Sequence, residues 1–113
     1  MAELPMLEGP YEIFDMEDGQ SMRLDVLSYE EGQMDIKPRR LGGETVVRVR
    51  ALRVHVKEGT KPFTPMYWDI TAQTLIAYLL PFFRERDFER AAYKVTKHGV
   101  APKARFTVER IPL

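Results

Sequence analysis

Glu44-Thr-Val-Val-Arg-Val-Arg-Ala-Leu-Arg-Val-His-Val-Lys57 is the longest strand signal in the chain, rich in β-branched valine. Its alternation changes phase in the middle. Val47, Val49 and Ala51 share one face, with Arg48 and Arg50 opposite; beyond Ala51 the apolar face passes to Leu52, Val54 and Val56, with Arg53, His55 and Lys57 opposite. Side chains alternate with period two, so three explanations are open: a bulge or sharp bend, two strands in different surroundings, or one strand buried on both faces along part of its length.

On either side the pattern continues in short elements. Upstream, Tyr11 to Phe14 is a short strand leading into a Glu17-Asp18-Gly19 turn, and Ser21 to Tyr29 alternates as a strand. Glu30-Glu31-Gly32 is expected to close that strand, with Gln33 to Lys37 as a short partner and Pro38 to Gly43 as a basic loop. Downstream, Phe63 to Trp68 is extended, because Pro65 restricts Thr64. Asp69 or Thr71 is an N-cap candidate for a helix to about Leu80, whose stripe is Ala72, Leu75, Ile76, Leu79 and Leu80. Pro81 either ends this helix or starts a second one through Arg84 to Arg90. The tail is a hairpin, Ala92 to Lys97 and Lys103 to Ile111, turning at His98 to Pro102. The expected architecture is α+β: a curved, mainly antiparallel sheet with one principal helix before a C-terminal β-hairpin. Residues 1–10 form an irregular acidic arm and residues 11–113 one domain.

The charges are sorted along the chain. Residues 1–35 hold ten acids and one base, Arg23; residues 36–113 hold sixteen bases and seven acids, so the net charge of zero is a cancellation. Such a chain can attract a polyanion with one surface and mask or repel with another. With no cysteine, disulfides, thiol nucleophiles and cysteine-ligated metal sites are excluded. The acidic start has no basic n-region or apolar h-region, and no apolar run is long enough for a bilayer; a cytoplasmic protein without membrane contact is expected.

Three groups of residues suit a polyanionic ligand. Lys94 and Thr96, with Lys103, Arg105 and Thr107, lie on one face of the hairpin, and Lys97 borders its turn. Cations interleaved with hydroxyls suit phosphate contacts; the alternative is a solvated outer face. Arg39, Arg40, Arg48, Arg50 and Arg53 form an arginine series that can fork onto phosphate and stack on bases, or pair with the acidic first third of the chain. Phe63, Tyr67 and Trp68 offer rings before the helix. Trp68 suits the core; Tyr67 and Phe63 are the candidates for exposure, since neighbours in an extended segment point oppositely.

His55 and His98, the two histidines, sit at no metal-ligand spacing, and there is no nucleophile elbow, P-loop or calcium loop. No catalytic residue, metal or cofactor is expected. In its element order, three strands, a helix, then two strands, the region Ser21 to Arg110 resembles the OB-fold, a small β-β-β-α-β-β barrel. That resemblance implies binding of single-stranded nucleic acid on a sheet face and through loops, here His98 to Pro102. The expected function is sequence-tolerant, non-enzymatic binding of single-stranded DNA or RNA. The acidic third would serve as a mask or as a surface for a protein partner. The alternative is a protein-interaction module, or a homo-oligomer joined through complementary acidic and basic surfaces.

Overall fold

The computed structural model describes residues 3–38, 41–100 and 103–113. Five strands form one antiparallel sheet, β1 (Ser21–Ile36), β2 (Val47–Val56), β3 (Tyr67–Ile70), β4 (Ala91–His98) and β5 (Arg105–Pro112), in the order β3-β2-β1-β4-β5. Helix α1 (Gln73–Phe83) lies between β3 and β4 in the chain, and a 3₁₀ turn at Phe88–Arg90 leads into β4. The fold is α+β, as the sequence pattern implies. β3 and β5 are not paired, so hydrogen bonds do not close the sheet into a barrel.

β1 is the hinge of the sheet. Its first residues pair with β4, from Ser21 with Thr96 to Asp25 with Ala92; the rest pairs with β2, from Val26 with Val56 to Ile36 with Val47. The register slips between Val26 and Ser28, leaving Leu27 as an exposed extra residue. This bulge bends β1 so that one strand serves both halves of the sheet.

The expected break at Glu30-Glu31-Gly32 is absent: β1 runs on through Gly32 to Ile36. Gly32 marks a close approach. A Cβ there would lie 2.7 Å from Leu7 Cγ and 2.8 Å from the Pro5 carbonyl, because the N-terminal arm lies against this strand. Gln33 N–H donates to Pro5 O and Leu7 N–H to Gln33 O, both at 2.9 Å. The arm then crosses to β3, where Asp69 N–H donates to Glu12 O at 2.6 Å and Phe14 N–H to Asp69 O at 2.9 Å. Residues of the arm thus pair with both strands that border this half of the sheet.

That crossing explains the phase change in β2. Residue pairing is continuous from Val47 to His55, so the strand has no bulge. Leu52, Val54 and Val56 face the main core with Leu24, Val26, Ile70, Leu75, Ile76, Leu79, Phe83, Tyr93 and Val95. Ala51 and Met34 face the other way, into a small cluster sealed by Leu7 and flanked by Val49 and Ile36. From Ala51 to Val54 the strand is buried on both faces, by the main core on one and by the arm on the other.

Helix α1 presents Leu75, Ile76, Leu79, Leu80 and Phe83 to the core. Neither expected cap is used: Ala72 is the N-cap and makes no side-chain cap bond. Gln73 instead ties the first turn to β2 by donating to Arg50 O at 2.8 Å. Pro81 neither ends nor starts a helix but lies inside the last turn. Among the described residues no helix is long and apolar enough to cross a membrane.

Candidate nucleic-acid interface

The two basic regions singled out in the sequence have different surroundings. On β2 every described arginine, and His55, meets a carboxylate. Arg48 Nε donates to Asp35 at 3.0 Å, directly across the β1–β2 pair. Arg50 pairs with Glu31, which Arg84 also approaches at 3.6 Å. His55 Nε2 lies 2.6 Å from Glu30. Arg39 and Arg40 lie outside the described residues.

Arg53 is the buried member of the series, with a side chain 9% exposed. Its guanidinium forks onto Asp69, Nε to Oδ1 at 2.7 Å and Nη2 to Oδ2 at 3.2 Å, and its Cζ lies 4.1 Å from the centre of the Tyr67 ring. Burial opposes the charge on Arg53, but the hydrogen bonds and charge of Asp69 outweigh it, so its pKa lies above the ordinary arginine value. Asp69 Oδ2 also accepts the Glu12 amide at 2.9 Å. Arg53 and Asp69 therefore fasten the arm, and neither faces solvent.

The rings follow the same division. Tyr67, expected to be exposed, is buried: it shares a face with Arg53 under the arm and donates its hydroxyl to Pro10 O. Trp68 is half-buried and packs on the core, edge-on to Phe14 and Phe63. Phe63 is exposed, but the ammonium of Lys61 lies 4.4 Å from its centre and 4.5 Å from that of Trp68. Lys61 is itself buried, donates to Pro65 O at 2.7 Å and reaches Glu12 at 3.3 Å. The chain's own cation occupies the ring site, a role that the sequence pattern of Lys61 did not single out.

The outer face of β1, β4 and β5 is different. Cross-strand pairing sets out three rows: Arg23, Lys94 and Glu109; Ser21, Thr96 and Thr107; then His98 and Arg105. Rows two residues apart along a strand are about 7 Å apart. Lys94, Lys103 and Arg105 are exposed and, among the described residues, make no ion pair. The middle row is polar and linked: Ser21 and Thr96 hydroxyls lie 2.7 Å apart, and His98 Nε2 lies 3.2 Å from Thr107 Oγ1. Arg23 joins this face although it belongs to the acidic third; it hydrogen-bonds Asp25 at 3.2 Å and stays half-exposed. Lys97 does not join it, because its Nζ turns inward to donate to Met16 O at 2.7 Å.

On the opposite, inner side of the hairpin, where Lys97 and Phe106 meet the segment before β1 and the start of α1, opens a cleft of about 640 Å³. Phe14, Met16, Ile36, Val49, Leu75 and Phe106 make it largely apolar, with Asp15 and Lys97 on its wall. Among the described residues no group of three or more His, Cys, Asp or Glu side chains gathers as metal ligands would. No family model, curated protein or solved structure matches this chain.

Proposed function

We propose that this protein is a non-enzymatic binding domain for single-stranded nucleic acid, DNA or RNA, that takes the phosphate backbone with little regard to sequence. The observation that carries this reading is the outer face of β1, β4 and β5, where exposed Lys94 and Arg105, with Arg23 paired to Asp25, flank a row of hydroxyls, and exposed Lys103 lies just before β5. Cations hold phosphates by displacing counterions, and hydroxyls between them donate to phosphate oxygens. The order β3-β2-β1-β4-β5, with the helix between β3 and β4, supports the OB-type reading as a barrel left open between β3 and β5. The buried Tyr67 and the ring pair filled by Lys61 leave base stacking a minor part of the affinity.

The test is fluorescence anisotropy with a labelled oligothymidine across a salt series. The three cations without an ion pair among the described residues, Lys94, Lys103 and Arg105, predict a log–log slope of roughly −2 on a single strand. No binding at low salt, or binding indifferent to salt, rejects the reading. A protein-interaction module is the second reading, favoured by the apolar cleft with half-exposed Ile13 at its rim. Oligomers that survive high salt without any affinity for oligonucleotide would support it.

A further inference from the structure

The borders of the sheet are treated unequally. Pro5 and Leu7 pair with β1, and Glu12 and Phe14 pair with β3, so the arm takes the outer side of both. β5 packs its inner face near α1, but among the described residues no strand pairs with its other side. Among the described residues its backbone bonds to β4 on one side, and beyond its end only Leu113 N–H donates to Arg90 O. Alternate N–H and C=O groups along the other side of β5 therefore point outward, which makes a template for a further strand. Phe106 and Val108 are half-buried against the core, which holds the strand in place.

We propose that β5 pairs antiparallel with β5 of a second copy, making a dimer with one continuous sheet. The argument is the order of side chains, Arg105-Phe106-Thr107-Val108-Glu109: basic, apolar, hydroxyl, apolar, acidic. Turned about a two-fold axis at Thr107, this segment complements itself. Arg105 comes opposite Glu109 of the partner subunit, twice. Phe106 comes opposite Val108 of the partner subunit, and Thr107 opposite its own copy. Opposite charges, apolar pairs and paired threonines are each favourable directly across two strands. Among the described residues neither Arg105 nor Glu109 has an ion-pair partner within its own chain. The contact is isologous, so it closes at two copies.

This proposal stands apart from the nucleic-acid reading and meets it only at Arg105, which a dimer would share between the partner and a phosphate. In the first experiment the key variant leaves every cation in place. Thr107→Cys introduces one thiol into a chain that has none. Directly opposed residues have Cα atoms about 4.5–5.5 Å apart, within disulfide reach. Under mild oxidation Thr107→Cys should give a disulfide-linked dimer. Arg105→Cys and Glu109→Cys should not, because each thiol lies about 13 Å from its own copy along the pair. The second experiment mixes charge variants. Arg105→Glu and Glu109→Arg each place like charges opposite each other and should sediment as monomers, whereas their equimolar mixture should regain a heterodimer. Wild-type protein that sediments as a monomer up to its solubility limit overturns the proposal. So does cross-linking at 105 or 109 as readily as at 107, or a mixture that stays monomeric while both variants are folded. Capture of a foreign extended peptide by a monomeric wild type would give the strand a different occupant and overturn it equally.

Discussion

β2 and the β4–β5 hairpin carry similar patterns, basic residues at alternate positions of a strand, yet one set is neutralised and the other is open. The difference lies in the neighbours. β2 runs between β1, which brings Glu30, Glu31 and Asp35, and β3, which brings Asp69. Arg48 stands directly across from Asp35 and Arg53 across from Asp69, and Arg50 reaches Glu31 on the diagonal. β5 has β4 on one side and no strand on the other, so Arg105 faces only His98 within the sheet. The availability of a run of cations on a strand is thus decided by the strand next to it.

The largest effect is expected where β2 is neutralised most deeply. Asp69→Ala leaves the buried Arg53 guanidinium without a counter-charge and the Glu12 amide without an acceptor. A loss of about 3–5 kcal/mol is expected from the urea midpoint. A loss well under that would mean that the guanidinium escapes to water and that the arm is not fastened there.

A smaller effect should follow from displacing the arm that seals this side of β2. Gly32→Ala places a methyl 2.7 Å from Leu7 and 2.8 Å from a backbone carbonyl. The expected cost is about 1–3 kcal/mol, with faster proteolytic clipping of the arm and no change in oligonucleotide affinity. Unchanged clipping would show that the arm accommodates a side chain at this crossing.

The smallest effect on folding, and the sharpest contrast, comes from truncating one cation of each region. Lys94→Ala should lower the magnitude of the salt slope for oligothymidine by about 0.7, while Arg50→Ala leaves it unchanged. Arg50→Ala should cost less than about 1 kcal/mol, since its pair with Glu31 is partly exposed. Equal losses of binding for both would remove the distinction drawn between the two regions.

Much of the fold was legible from residue order. The helix stripe of Leu75, Ile76, Leu79 and Leu80, the terminal hairpin and the long valine-rich strand all lie where periodicity puts them. Gly32 misled because a glycine after two acids resembles a turn, whereas here it accommodates the N-terminal arm of its own chain. Asp69 misled in the same way: a short acid before a helix suggests a cap, and burial beside Arg53 is invisible to local sequence. In the candidate site Lys94, Lys103 and Arg105 could be grouped by their spacing, but Arg23 could not, because it is a lone base among acids some seventy residues away from its neighbour Lys94.

By itself the sequence determined the main helix, the terminal hairpin, the valine-rich strand and the separation of charge, since these follow from side-chain period and local chemistry. The tertiary structure decided which charges cancel, which rings are covered and which strand keeps a free side. Those depend on cross-strand register and on where the arm lies, and both bring together residues that are distant in the chain and that no local pattern connects.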